Sequence, residues 1–558
     1  MQRISSAMSS QWFKKISPPV FWGIIVLPMV SLLWKLLFIG WGVLPFNSDE
    51  AIVALMARHI LSGEHPAFFY GQAYMGSLDA YLVAGAFSIL GYHVWVIRLV
   101  QSILYLLTII ITVLSGRLIF GDIKYGSWGA VFMVFPTVNV FLYTTVSLGG
   151  YGEAMLLGSS SFYVGVLIAK KMMDKYKNGD VFSYPAKLIH LFGLWGFLAG
   201  LGFWVNGLSL VFTVPIGVIV LLNSIKLHGF LKRPSLFEEW LACAIGFSIG
   251  ALPWIYAVIQ QGPLVYLREL MGSAVAVEQQ TWIVRSAEHL LSLILLGVPV
   301  IFGFRPPWEV SWILLPLIPL VAGIWVYILS KMLRIKDCHL AVAAGYLGLW
   351  GILCFLGFGF VFTSFGIDPS GRYFLPAAFT LALFAGRALF FLQDKKLRTV
   401  LLIVVIGYQM WGCIESGIKN PPGITTQFNP VTVVDHQKMP ELIQFLQSKG
   451  ETRGHTNYWV SYPLAFQSRE ELIFVPTLPY HLDFRYTPRD NRYLPYNLML
   501  EEVPRVAYIT THHPSLDDRL RKEFRNRSIT WEEIQIGDYQ VFFHLSTKIN
   551  PDQLGFDK

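Results

Sequence analysis

Hydrophobic residues in this chain fall into long runs that short polar segments separate. A helix needs about 20 consecutive apolar residues to cross a bilayer. Runs of roughly this length occupy residues 19–41, 99–119, 126–147, 154–172, 187–205, 207–224, 239–259, 310–330, 340–363, 373–392 and 399–416. We therefore predict an all-α polytopic membrane domain of about eleven transmembrane helices in residues 1–417.

Two further apolar runs, Ser77–Gly91 and His289–Phe304, are only marginally long enough to cross, and each is either a span or an interfacial helix. Loop charge distinguishes these alternatives because cytoplasmic loops collect Lys and Arg. With both runs on the outer surface, the loops on the N-terminal side hold 19 basic residues and those on the opposite side hold six. We predict a cytoplasmic N-terminus, with both runs forming juxtamembrane helices on the extracytoplasmic face.

The chain changes character after residue 417. The sequence Asn420-Pro421-Pro422-Gly423 breaks the helical pattern, and helical and strand-like segments then alternate. The helical segments are Met439–Ser448 and Leu516–Arg527, and the strand-like segments are 455–460, 472–475, 505–510 and 539–545. This alternation predicts a soluble α/β domain over residues 418–558, which the loop charges place outside the cytoplasm.

Composition supports the membrane assignment. Hydrophobic residues make up 54% of the chain and charged residues 14%, with a mean hydropathy of +0.52, whereas soluble domains carry roughly 25% charged residues. The net charge of +8 belongs to the membrane part, because the C-terminal domain holds nearly equal numbers of acidic and basic residues. Charge of this kind reflects topology, and we expect no nucleic-acid partner.

The most informative segment is Phe46-Asn47-Ser48-Asp49-Glu50-Ala51, which follows the first span and opens an amphipathic helix. Two adjacent carboxylates at a membrane boundary are costly to desolvate, so such groups usually have a function. The alternative explanation is helix capping, in which Ser48 or Asp49 accepts hydrogen bonds from the first turn.

Other polar groups are predicted to face outward. They are Arg58-His59, the segment Gly71–Asp79 with Gln72 and Tyr74, the acid Glu153, and Asp368-Pro369-Ser370-Gly371-Arg372-Tyr373. Each has a simpler explanation. Glu50 and Glu153 are surface carboxylates, the side chains of Arg58-His59 extend from an amphipathic helix, and Arg372 forms a surface ion pair with Asp368.

This arrangement resembles the C-type (GT-C) membrane glycosyltransferases, in particular the branch of the protein O-mannosyltransferases and the lipid A aminoarabinose transferases. The shared features are Asp49-Glu50 after the first span, an apolar juxtamembrane helix after a glycine, Arg98-Leu99 entering the second span, an acid after the third, and Arg372-Tyr373-x-x-Pro376. The similarity covers roughly the first 170 residues well and the rest mainly by architecture. It implies the GT-C fold.

The resemblance also implies an activity, which is transfer of a sugar from a polyprenyl-phosphate donor to a hydroxyl of a lipid, glycan or protein on the outer face. It makes Asp49 the general base of one inverting displacement. Glu50 and Glu153 complete the expected catalytic set by orienting the acceptor or the sugar hydroxyls. The substrate-binding candidates are Arg58, His59, Gln72, Tyr74, Asp79, Arg372 and Tyr373, with Arg372 at the donor phosphate.

Some features depart from the resemblance or leave alternatives open. Gly71–Asp79 replaces the Pro-Pro that commonly precedes the juxtamembrane helix, so the acceptor is unidentified. No cofactor is certain, and the outer loops contain no Asp-x-Asp, although a divalent metal stays open. A transporter of lipid-linked sugars and a non-catalytic glycan-binding scaffold are the alternative functions. The chain shows no internal repeat of the kind common in transporters.

Overall fold

The computed structural model describes residues 18–178, 187–231, 236–264, 281–334, 340–363, 368–419, 423–427 and 432–554. Among these residues, ten helices are long and apolar enough to cross a membrane, and one bent pair would make eleven. The helices are α1 (Trp22–Trp41), α2 (Ser48–Leu61), α3 (Leu78–Leu90), α4 (Val94–Phe120), α5 (Ile123–Val134), α6 (Val138–Tyr143), α7 (Tyr151–Asn178), α8 (Lys187–Val205), α9 (Leu210–Leu231), α10 (Phe237–Gly250), α11 (Leu252–Gln261), α12 (Trp282–Ser292), α13 (Ile318–Leu333), α14 (Leu340–Phe362), α15 (Leu375–Ala388) and α16 (Lys395–Lys419).

Apolar side chains cover much of the outer surface of these helices. Ile225, Val326 and Ile403 are each more than half exposed on helices that otherwise pack together. Such side chains favour hydrocarbon over water, whereas the backbone polar groups are satisfied within each helix. The chain is a multi-pass membrane protein, as its sequence predicts.

Two of the predicted spans are broken helices. The run 126–147 divides into α5 and α6 around Pro136, which has no N–H to continue the helix. The run 239–259 divides into α10 and α11, which meet at 66° beside Pro253. The length and polarity of an apolar run do not show where the helix is interrupted, so the sequence prediction missed both breaks.

The second short apolar run is longer than the sequence prediction. Residues Trp282–Ile301 form a 20-residue helical segment that is long and apolar enough to cross a membrane. Arg285 and Glu288 lie in the first turns of this helix and interrupt its apolar sequence, so the apolar run alone indicated a shorter helix. The helix length therefore permits a span, and loop charge is the remaining argument for a surface position.

Glycines bring α8 and α10 into backbone contact. A methyl group at Gly196 would collide with the carbonyl of Cys243, and one at Gly200 would collide with that of Phe247. Small residues allow this close approach between membrane helices. The glycines at positions 196 and 200 therefore serve helix packing.

The C-terminal part is built on a five-stranded sheet. Strands β1 (Phe68–Phe69) and β2 (Gln72–Gly76) form a separate two-stranded hairpin in the membrane part. The elements of the C-terminal part are α17 (Met439–Lys449), β3 (Arg453–Thr456), α18 (Tyr458–Gln467), β4 (Ile473–Pro476), α19 (Pro495–Glu501), β5 (Ala507–Thr511), α20 (Pro514–Asn526), β6 (Glu532–Ile536) and β7 (Tyr539–Phe543). The strand order is β4-β3-β5-β7-β6, in which β3 is parallel to β4 and β5 and the other pairs are antiparallel.

The predicted strand 455–460 is wrong in its second half. Residues from Tyr458 form helix α18, because Asn457 caps it by accepting a hydrogen bond from the Trp459 N–H at 3.0 Å. The aromatic and β-branched residues Tyr458, Trp459 and Val460 suggested a strand, but almost the whole of α18 is buried, and packing on several sides overrides that preference. This correction matters because α18 contacts α2.

Candidate active site

Helix α2 begins seven residues after α1 ends. Its cap is Asn47, whose Oδ1 accepts a hydrogen bond from the Glu50 N–H at 3.0 Å. The Ser48 hydroxyl instead donates to the Tyr458 carbonyl at 2.5 Å. Neither Ser48 nor Asp49 caps the helix, so the capping explanation does not account for the Asp49 carboxylate.

The Asp49 carboxylate lies at the N-terminus of α2 and is half-buried. Its Oδ1 accepts a hydrogen bond from the hydroxyl of Tyr458, which is only 3% exposed. The positive end of the helix dipole also favours a carboxylate at this position. A partly accessible, oriented carboxylate of this kind is able to take a proton from an approaching hydroxyl group.

Glu50 points away from Asp49, into the protein. It is fully buried, and Arg98 of α4 donates to both of its oxygens, from Nε at 3.0 Å and from Nη2 at 2.9 Å. Burial raises the pKa of Glu50, and the charge of Arg98 opposes that rise. This structural contact fixes α2 on α4, and the role of Glu50 in orienting a substrate stays a prediction.

Asp79 and Glu153 form a second buried carboxylate group. Gln101 donates from Nε2 to Asp79 at 2.8 Å and to Glu153 at 3.1 Å, and the Ser147 hydroxyl donates to Asp79. Burial raises the pKa of Asp79. Both carboxylates are at most 2% exposed, so they lie beneath the surface and join α3, α4 and α7.

Arg372 lies in the loop before α15, and this loop is held from two sides. Asn139 donates to the Gly371 carbonyl at 3.0 Å, and Arg305 donates to the Pro369 carbonyl. Arg372 pairs with Asp368 at 2.6 Å and lies over the Tyr373 ring at 5.1 Å, with 34% of its side chain exposed. The ion pair with Asp368 that the sequence suggested is present, and about a third of the Arg372 side chain remains accessible.

Tyr74 is acted on by the charges of both Asp49 and Arg372. It lies on β2, and burial raises the pKa of its hydroxyl. The charges of Arg372 and Arg492 lower that pKa, and the charge of Asp49 raises it. The base candidate and the phosphate-binding candidate therefore act on one side chain, although 323 positions separate them in the sequence.

The C-terminal domain adds residues that the sequence analysis missed. Both terminal nitrogens of Arg492 donate at 2.7 Å to the Gln72 amide oxygen, in the amide orientation that satisfies these bonds, and the guanidinium lies over the Tyr458 ring at 5.6 Å. Burial raises the pKa of Asp490 to about 7. The charge of Arg492 lowers this pKa, and the charge of Asp49 raises it further. No motif marks these residues, because their position depends on domain docking.

Arg58 and His59 lie at the other end of α2, where they contact the C-terminal domain. His59 Nε2 is 2.8 Å from Glu470, its Nδ1 is 2.9 Å from the Tyr70 hydroxyl, and Arg58 Nη1 is 3.6 Å from Glu470. In the structure both residues make docking contacts, and their substrate-binding role stays a prediction. Of the sequence candidates, Asp49, Gln72, Tyr74, Arg372 and Tyr373 are brought together.

No group of three or more His, Cys, Asp or Glu side chains converges on a metal-binding geometry within the residues that the structure describes. Asp49 and Asp490 act on each other electrostatically, but Arg492 lies with them and supplies a positive charge.

The membrane helices and the C-terminal domain together have the GT-C fold that the sequence resemblance implied. Among solved structures with this fold, ArnT from Cupriavidus metallidurans bound to undecaprenyl phosphate gives a TM-score of 0.55 at 14% identity, covering 93% of this chain and 97% of that chain. The apo form of ArnT gives 0.54 at 13% identity, covering 88% and 93%.

AglB, an oligosaccharyltransferase from Archaeoglobus fulgidus in complex with an inhibitory peptide and a dolichol-phosphate, gives a TM-score of 0.47 at 14% identity, over 88% of this chain and 69% of that chain. No protein-family model matches the sequence, and no curated protein does. At these identities, the ArnT structures establish the fold of this chain and leave its activity to the site.

Proposed function

We propose that this protein transfers a sugar from a polyprenyl-phosphate donor to an acceptor hydroxyl, with Asp49 as the general base. The observation that carries the proposal is that the charges of Asp49 and Arg372 both act on the Tyr74 hydroxyl. Sugar transfer from a lipid phosphate needs these two groups, a base for the acceptor and a cation for the leaving phosphate. The GT-C fold supports the donor class, since ArnT with this fold was crystallised with undecaprenyl phosphate.

The reaction proposed is a single displacement at the anomeric carbon. The acceptor oxygen forms a bond to that carbon as its proton passes to Asp49, and the bond from the carbon to the phosphate oxygen breaks with its electron pair on the phosphate. Attack opposite the leaving group inverts the anomeric configuration. Arg372 stays charged throughout and stabilises the lipid phosphate, which a planar guanidinium can bind through two hydrogen bonds.

The other site residues have supporting roles in this proposal. Tyr373 lies against Arg372, and Tyr74 lies within reach of its charge, so both supply aromatic and hydroxyl contacts to the donor sugar or phosphate. Gln72 holds Arg492. Glu50, Asp79 and Glu153 act from beneath the surface by fixing the helices that carry the reacting groups.

The proposed reaction takes place on the extracytoplasmic face. Loop charge supports this orientation, with 19 basic residues predicted on the cytoplasmic side and six on the other. Asp49, Arg372 and the C-terminal domain then share one side of the membrane, which agrees with the hydrogen bond from Tyr458 to Asp49. A donor carried by a membrane lipid fits this placement, because soluble nucleotide sugars are made in the cytoplasm.

Binding of undecaprenyl phosphate tests the donor class. We expect Arg372→Ala to weaken this binding about 10-fold, because the substitution removes a charge-assisted hydrogen bond of about 1.5–3 kcal/mol. The apparent KM for a lipid-phosphate donor should rise with it, and that for the acceptor should change less. Native mass spectrometry of the purified protein with titrated undecaprenyl phosphate provides the binding measurement.

Two controls accompany this measurement. Undecaprenol, which lacks the phosphate, should bind equally to the wild type and to Arg372→Ala. Arg387→Ala removes a second arginine near the far end of α15, where it contacts the rings of Tyr125 and Phe391, and should leave binding unchanged. Unaltered affinity of Arg372→Ala for undecaprenyl phosphate would restrict Arg372 to its pair with Asp368.

A further inference from the structure

The C-terminal domain docks directly on the reactive end of α2. The Tyr458 hydroxyl donates to Asp49, and the Tyr458 carbonyl accepts from the neighbouring Ser48 hydroxyl at 2.5 Å. Both contacts come from the first residue of α18, so one residue of the C-terminal domain holds two consecutive residues of α2. The domain contact is therefore made at the proposed base itself.

Arg492 attaches the same domain to the hairpin that carries Tyr74. It donates to the Gln72 amide and, at 3.5 Å, to the Gly71 carbonyl. Gly71 has a φ of +70°, and a Cβ there would lie only 3.7 Å from the Cβ of Arg492. The backbone of β-hairpin β1–β2 thus lies directly against the C-terminal domain.

A third contact lies at the opposite end of α2, where Glu470 meets His59 and the Tyr496 hydroxyl. An apolar core that contains residues of α2, α3 and α18 fills the space between the polar contacts, and Phe87 and Phe466 stack within it at 6.1 Å. Burial of apolar side chains is the main source of stability in such interfaces. The docked arrangement is therefore a built interface along the whole of α2.

We propose that Tyr458 is a positioning residue for Asp49, so that the reactive site is complete only when the C-terminal domain is docked. The inference rests on the proposed function, because it concerns the orientation of the proposed base. A carboxylate has free rotation about its terminal bond, and a hydrogen bond from a buried hydroxyl fixes the oxygen that does not receive the acceptor proton. Tyr458 touches the base and needs no contact with the donor or the acceptor.

Tyr458→Phe tests this role. Loss of one hydrogen bond to a charged group should lower kcat about 10-fold and leave the KM of the donor unchanged, because the phosphate contact is intact. The assay is release of sugar, by the full-length protein in lipid nanodiscs, from an undecaprenyl-phosphate monosaccharide that the wild type cleaves. An unchanged kcat for Tyr458→Phe overturns the inference.

Tyr508→Phe is the matched control. Tyr508 is another fully buried tyrosine of the C-terminal domain, and its hydroxyl donates to the Ile549 carbonyl at 2.6 Å, within that domain. This variant loses a buried hydrogen bond of similar type away from Asp49, so its kcat should equal that of the wild type. An equal loss in Tyr458→Phe and Tyr508→Phe would show general weakening of the domain and overturn the positioning role.

Docking is tested separately, without any activity. In a Gly71→Cys, Arg492→Cys variant, the 3.7 Å between the Cβ positions is within the usual range for a disulfide. We expect mild oxidation to link the two residues in the folded protein, detectable by mass spectrometry of peptides. Absence of the link in folded protein contradicts the docked arrangement, whereas a formed link beside a wild-type protein that cleaves no donor assigns the failure to the proposed function.

Discussion

Asp49→Asn is expected to lower the rate of sugar transfer by about 1,000-fold, within the range that removal of a general base produces. Asparagine has the shape of aspartate and still accepts a hydrogen bond from Tyr458, but it cannot take a proton from the acceptor. Expression and melting temperature should therefore stay at wild-type values. The measurement is the initial rate of transfer with saturating donor.

Glu50→Gln is the control for this experiment, because it neutralises the neighbouring carboxylate. Asp49 and Glu50 are neighbours in sequence, yet only Glu50 is fully buried and paired with Arg98. Glu50→Gln should change melting temperature more than Asp49→Asn does and reduce the rate less. Near wild-type turnover by Asp49→Asn would remove Asp49 from its role as base.

Arg98→Met is expected to produce the largest loss of stability. It removes the partner of a buried carboxylate, and breaking such a pair costs about 3–5 kcal/mol. Burial raises the pKa of Glu50, so the folded state holds a proton more tightly than the unfolded state does. The stability deficit of Arg98→Met should therefore be larger at pH 8 than at pH 5. Thermal unfolding in detergent at both pH values measures this difference.

Removal of the remaining charge should restore much of the lost stability. The double variant Arg98→Met, Glu50→Gln carries no buried carboxylate at this position, so we expect its melting temperature to exceed that of Arg98→Met alone and to depend less on pH. A deficit that is the same in the single and double variants would mean that packing of the long Arg98 side chain, and not its charge, stabilises α2 on α4.

The architecture was predictable because it follows from the length of apolar runs. Such runs must be helices in a bilayer, where the backbone has no water to bind. The sequence also located Asp49 and Arg372, since charged groups at a membrane boundary are few and costly. The proline residues Pro136 and Pro253 mark the two helix breaks in the sequence, but averaging hydropathy over a long window hides the effect of a single proline.

The rest of the site depends on contacts between distant parts of the chain. Tyr458 lies 409 positions from Asp49, and no local pattern records that their side chains meet. Glu50 was expected beside Asp49, but consecutive residues of a helix point about 100° apart, which directs Glu50 to the core. The sequence predicted that the side chains of Asp79 and Glu153 face the outer side of the membrane. Only the packing of α3, α4 and α7 shows that Gln101 joins the two carboxylates in the protein interior.

Cleavage of a lipid-linked sugar by the purified protein tests the central claim most directly. The wild type in lipid nanodiscs would be incubated with a panel of radiolabelled undecaprenyl-phosphate monosaccharides and a membrane extract as the source of acceptors, with Asp49→Asn in parallel. We expect label to leave the lipid phosphate from at least one donor, with the wild type only. Folded wild-type protein that binds these lipids but releases label from none of them would contradict the account and favour a transporter or a glycan-binding scaffold.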